Sequence, residues 1–117
     1  MSLPHKIKVI TLLSALLSFS VMAEIPTNAV WIDVRTPGEF EQGHLPLATL
    51  IPYDGIEKGV AALGLAKDTP IFLYCASGGR SGKAKLSLEA MDYTAVTNAG
   101  GLADAEKLIA EENSKAD

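Results

Sequence analysis

The sequence predicts a single α/β domain in which a small parallel β-sheet is flanked by helices. Short apolar, strand-like runs alternate with short helical stretches from residue 29 to residue 112, as expected where helices cover the faces of a parallel sheet. Setting aside a leader-like segment of 23 residues leaves 94 of the 117, enough for one modest core and no more. The lone cysteine, Cys75, follows the apolar run Ile71, Phe72, Leu73 and Tyr74. It therefore falls at the C-terminal end of a strand, where open α/β sheets bind ligands.

The elements follow in order. Residues 29–34 carry the first strand, and residues 37–42 a brief helix with Pro37 in its first turn, where a missing N–H costs nothing. Residues 49–51 make a second strand, stopped by Pro52, and residues 57–63 a helix ending near Gly64. Residues 70–74 form the strand before the cysteine. Residues 81–91 form a helix with Ala84, Leu88 and Met91 on one face. Residues 95–97 read as another strand, Gly100 and Gly101 as a turn, and residues 102–112 as the last helix. There are no repeats, low-complexity tracts or internal linkers.

Residues 1–23 have the layout of a secretory signal peptide. Lys6 and Lys8 form a basic head, Val9 to Val21 is apolar except for Thr11, Ser14, Ser18 and Ser20, and Val21, Met22, Ala23 suit a cut after Ala23. The apolar run is shorter than the roughly 20 residues a membrane span needs. The mature domain is expected to cover residues 24–117 and to have no membrane attachment. Cleavage removes two lysines, leaving eight basic against fourteen acidic residues and a net charge of −6. That balance argues against nucleic acid, which is held by clustered Lys and Arg.

Export usually accompanies paired cysteines, yet Cys75 has no partner in the chain and reads as a reactive thiol. It opens the run Cys75, Ala76, Ser77, Gly78, Gly79, Arg80, Ser81. A helix N-terminus or a nearby cation lowers a thiol from about 8.5 to roughly 3.5–7.5. Gly78 and Gly79 permit positive φ, so successive amides can turn inward as an anion nest, and Arg80 adds a permanent charge. The residues thus describe an activated nucleophile in a cradle built for something negative.

Three stretches then resemble one family. Ile32, Asp33, Val34, Arg35, Thr36, Pro37, Gly38, Glu39, Phe40, continuing through Gly43, His44, Leu45, Pro46 to Ile51 and Pro52, is similar to the N-terminal signature of the rhodanese domain. The loop from Cys75 to Ser81 resembles its active-site loop, and Asn98, Ala99, Gly100, Gly101, Leu102 its C-terminal signature. With the leader, the likeness is to periplasmic single-domain members. The resemblance implies sulfurtransferase chemistry without a cofactor: Cys75 takes the outer sulfur of thiosulfate, sulfite leaves, and the persulfide passes to cyanide, a thiol or a protein acceptor. It assigns the amides of residues 76–80 to the sulfur and Arg80 to the anionic donor or the sulfite. Pro46 with Leu47, Ala103 after Leu102, and Asp92 at a helix end where glycine is usual depart from the family pattern; aspartate tolerates the left-handed geometry such an end requires.

Other residues have less specific readings. Asp33 and Arg35 flank a strand end as a structural hydrogen-bonding pair. Glu39 reads as an exposed or Arg35-paired helix residue, and His44 as architectural, although it is the only histidine after residue 23 and so the only candidate for a Cys–His dyad. Lys83, three positions after Arg80, could add a second charge at the mouth of the site. Cys75 and His44 alone make no zinc site. The alternatives are a persulfide carrier or protein-binding module with little thiosulfate turnover, a cysteine phosphatase, and an oxidant-handling thiol. Phosphatases of related fold have five residues between cysteine and arginine, whereas Cys75 and Arg80 enclose four.

Overall fold

Alternation along the strands decides which face of the sheet each side chain serves. In a computed structural model that describes residues 24–116, β1 is Val30–Asp33, α1 Pro37–Glu41, β2 Thr49–Leu50, α2 Ile56–Ala62, β3 Ile71–Cys75, α3 Gly79–Ala90, β4 Val96–Gly101 and α4 Leu102–Ala116. A 3₁₀ turn at Tyr53–Gly55 leads into α2. The leader-like residues 1–23 lie outside the described residues. All strand pairs are parallel, in the order β2-β1-β3-β4.

Ile32, Ile71, Leu73 and Cys75 point to one face, where they meet Ile56 and Val60 of α2 and Ala84 and Leu88 of α3. Trp31, Phe72 and Tyr74 point to the other, against Ala105, Leu102 and Leu108 of α4. Trp31 and Phe72 are register partners and stack with ring centroids 4.7 Å apart. With both faces covered, every residue of β3 is buried, which is why that run reads as continuously apolar rather than alternating.

The chain steps from β1 to β2 on one side and from β2 across to β3 on the other. The connections leaving β1 and β3 therefore diverge, and a crevice opens beyond their C-terminal ends. α1 and the loop carrying Cys75 flank that crevice.

Two expectations require correction. α3 begins at Gly79 rather than residue 81, because Gly78 supplies the left-handed turn, at φ +104°, immediately after the cysteine's loop. Gly100 and Gly101 are not a turn but the end of β4. Leu73 pairs with Asn98 and Cys75 with Gly101, so β4 carries one extra residue in a bulge. Gly100 there has φ +87°. A Cβ on Gly101 would lie 2.2 Å from the Ala76 carbonyl oxygen, so this glycine is required by close backbone approach. Asp92, at φ +71°, takes the left-handed position after α3.

Candidate active site

β3 delivers Cys75 to the crevice and leaves it 1% exposed. The next three residues turn back so that the Gly78 N–H donates to Sγ at 2.9 Å. α3 then starts at once, directing its first-turn amides toward the sulfur. Burial pushes the thiol up, but the Ser81 hydroxyl, 3.4 Å from Sγ and able to turn its hydrogen to the anion, and the N–H groups of Ser81, Ser77 and Gly78 outweigh it and bring it down from 9.0 to about 7. Among the expected loop residues, Ser77, Gly78 and Ser81 thus face the sulfur. Ala76 holds the backbone against Gly101. Gly79 opens α3, and only Gly78 of the two glycines has positive φ.

Arg80 faces a carboxylate. Its Nη1 and Nη2 donate to Oε1 and Oε2 of Glu39 at 2.7 and 2.9 Å. This corrects the reading of Glu39 as exposed or paired with Arg35: it is half-buried and paired across the crevice with Arg80. Glu39 is also the third residue of α1, where it accepts from the Thr36 N–H at 3.1 Å while the Thr36 hydroxyl accepts the Glu39 N–H at 3.2 Å, a reciprocal capping box. Arg80 first, then Thr36, hold the Glu39 carboxyl down to about 2. The T-x-x-E spacing after a strand was a visible signal for the cap, though not for the arginine.

Asp33 and Arg35 form the structural pair expected of them. Arg35 Nε and Nη2 donate to the two Asp33 oxygens at 3.0 and 2.8 Å, the Arg35 N–H donates to Oδ1 at 2.9 Å, and Nη2 also reaches the Gly43 carbonyl at 2.7 Å. Asp33 is fully buried. Tyr74, its register partner, accepts the Leu45 N–H at 3.1 Å, and burial raises its hydroxyl to about 12. These bonds fix the turn after α1.

His44 belongs to that turn. Its ring stacks on Phe40 at 3.5 Å and its Nδ1 lies 2.7 Å from the Phe40 carbonyl. Among the described residues the sulfur is bonded by Ser77, Gly78 and Ser81, and His44 is not one of them. Lys83 is exposed and lines a separate cleft of about 500 Å³ with Tyr53, Asp54 and Glu57; it does not contact the sulfur.

One participant escaped the reading of the sequence. Asn98, before the bulge of β4, accepts the Ser81 hydroxyl at 2.7 Å and the Gly100 N–H at 2.9 Å on Oδ1, and donates from Nδ2 to the Gly78 carbonyl at 3.0 Å. It ties β4 to both ends of the cradle.

Fold and site define a class of small α/β domains that present one activated cysteine at the switch point of a parallel sheet. The model of the rhodanese-like domain matches residues 20–107, and the chain belongs to that family. It is 38% identical over 91 residues to the thiosulfate sulfurtransferase PspE of Escherichia coli K12, spanning 76% of this chain and 88% of that protein. A sulfurtransferase of Allochromatium vinosum is 36% identical over 74 residues, which are 63% of this chain and 67% of the relative. Among solved structures, a rhodanese with anions from E. coli aligns with a TM-score of 0.63 at 41% identity, covering 65% of this chain and 89% of its own.

Proposed function

We propose that this protein is a thiosulfate sulfurtransferase that moves sulfane sulfur through a persulfide on Cys75. The observation that carries the reading is a buried thiol, lowered to about 7, receiving the Gly78 N–H at 2.9 Å in a loop closed by Arg80. The thiolate attacks the outer sulfur of thiosulfate; the donor's S–S bond breaks and its electron pair leaves with sulfite. Cys75 then bears a persulfide with the negative charge on the terminal sulfur. Cyanide or a thiolate attacks that sulfur, and the pair of the breaking bond returns to Sγ, regenerating the thiolate. The same N–H groups face the charge at each stage, so little reorganisation is needed.

One feature favours sulfur over phosphate: the loop encloses four residues between Cys75 and Arg80, a tighter ring than the five-residue phosphatase loop. Arg80 is held by Glu39 at Nη1 and Nη2, and an anionic donor shares or displaces that contact. The leader-like residues 1–23 support export to the periplasm, with a mature domain starting at Glu24. No helix among the described residues is long and apolar enough to cross a membrane.

The test is mass spectrometry of the mature protein after treatment with thiosulfate. The Cys75 peptide is expected to gain one sulfur that cyanide removes, with no gain in Cys75→Ser. Failure of any sulfane donor to load Cys75 overturns the proposal. Comparing turnover with cyanide, small thiols and protein thiols separates an enzyme from a dedicated carrier.

A further inference from the structure

The hydroxyl beside the sulfur has one hydrogen and two claimants. Ser81 Oγ lies 3.4 Å from Cys75 Sγ and 2.7 Å from Asn98 Oδ1. The orientation of the Asn98 amide decides between them. Its Oδ1 receives the Gly100 N–H, a donor only, and its Nδ2 is opposite the Gly78 carbonyl, an acceptor only. Turning the amide over would set donor against donor and acceptor against acceptor. Oδ1 is therefore fixed as an acceptor, and the shorter contact holds the Ser81 hydrogen. The lone pairs of Ser81 Oγ are left facing the sulfur.

That arrangement suits a thiol, which can donate S–H to Ser81, and opposes a thiolate, which meets oxygen lone pairs. From this geometry we propose that Asn98 is a positioning residue that withholds the Ser81 hydrogen from the Cys75 anion and releases it only when Ser81 turns. Turning exchanges the bond to Asn98 for one to sulfur. It is drawn on when Cys75 loses its proton before attacking a donor, and again when the cysteine leaves the persulfide as an anion. Once the inner sulfur is bonded to a second sulfur and uncharged, the hydrogen returns to Asn98.

The charged groups around this triad do not supply the switch. Arg80 on α3 senses the Cys75 charge but is matched by Glu39 on α1, and Asp104 on α4 is occupied by the Gly101 N–H at 2.9 Å. The inference concerns the same cysteine as the proposed sulfur transfer, but it is tested on the titration of the thiol, which is independent of turnover.

The test is the titration of Cys75, the only cysteine in the chain, followed by the ultraviolet absorbance of its thiolate. In Asn98→Ala the Ser81 hydrogen is free to serve sulfur, and the thiol is expected to titrate about one unit lower, a tenfold gain in thiolate at a given pH below the transition, equal to about 1.4 kcal/mol. A purely structural Asn98 acts oppositely: loss of its bond to the Gly78 carbonyl loosens the Gly78 N–H on the sulfur and raises the value. An unchanged or raised titration overturns the proposal. Ser81 is fully buried, and Ser81→Ala only removes one atom, so it guards against a misfolded Asn98 variant. Because its hydrogen reaches the anion only by giving up the bond to Asn98, the serine's net contribution is small, and its loss is expected to raise the titration by less than about half a unit. A rise of a unit or more means that Ser81 serves the sulfur without opposition from Asn98 and overturns the idea. Adding Asn98→Ala to Ser81→Ala is expected to change nothing further, because the asparagine acts through the serine. A further fall in the double variant refutes that route.

Discussion

Gly101 makes a sharp prediction because the geometry leaves its substituent nowhere to go. An added Cβ would stand 2.2 Å from the Ala76 oxygen, 2.9 Å from its carbon and 3.4 Å from the Ser77 nitrogen. These are atoms of the Ala76–Ser77 peptide, so relief requires that peptide to shift by about 1 Å, since van der Waals contacts form beyond roughly 3 Å. The Ser77 amide belongs to that peptide and the Gly78 amide to the next, and both serve the sulfur. Misplacement of a reacting group by about 1 Å costs on the order of 10²-fold in rate, and overpacking costs about 1–3 kcal/mol in stability. Gly101→Ala is therefore expected to lower kcat/KM for thiosulfate about 100-fold, to raise the thiol's titration, and to shift the denaturant midpoint modestly. Gly79→Ala is the control in the same loop: its Cβ meets nothing within 4 Å, and it is expected to fold at least as well as the parent. A Gly101→Ala protein with turnover within threefold of the parent, about 0.7 kcal/mol, would refute the claim that β4 sets the cradle's shape.

Three further outcomes are expected. The rate of persulfide formation should rise with pH through a midpoint of about 7, giving roughly half thiolate at neutrality where an ordinary thiol has a few per cent; stopped-flow at single turnover reads this. Glu39→Gln should cost at most about 1 kcal/mol, since the pair is about a third exposed. Because the Glu39 carboxyl is lowered to about 2, its stabilising share is complete above its ordinary value of 4.5 and lost as pH falls toward 2, so parent and variant melting temperatures should converge in acid. Asp33→Asn leaves the buried Arg35 guanidinium without its counter-charge and should destabilise by about 3–5 kcal/mol in urea titration.

The local parts of the site were legible because they are local. An apolar run, a cysteine, two glycines and an arginine lie within ten residues, and each constrains the next through strand end, turn and helix start. The Glu39–Arg80 pair spans 41 positions, and nothing in either sequence neighbourhood selects the other; it follows from the strand order. Thr36 and Glu39 have the spacing of a capping box, confirmed only by the structure, which accounts for the placement of the carboxylate but not for its partner. The Gly100-Gly101 pair looks like a turn, since paired glycines commonly mark one. Its real requirement is the approach of two backbones, visible only once β4 is known to lie beside the end of β3. Asn98 lies in the stretch that resembles the C-terminal signature, but its role is not legible there, because its three bonds depend on a bulge that no pattern of residue types encodes.

The switch point explains why elements so distant in sequence converge on one sulfur. β1 and β3 are neighbours whose outgoing connections diverge, so α1 and α3 arrive on opposite sides of the same crevice. The capping box fixes Glu39 at the first turn of α1, and Glu39 in turn fixes the guanidinium of Arg80 in the first turn of α3. β4 closes the third side: its bulge sets Gly101 against Ala76 and Asn98 against Ser81 and Gly78. The consequence is a division of labour. The α1 side governs the charge an approaching anion meets, and the β4 side governs the shape and hydrogen placement around the sulfur. Changes at Glu39 should therefore appear mainly in KM for anionic donors, while changes at Gly101 and Asn98 should appear in the thiol's titration and in the chemical step.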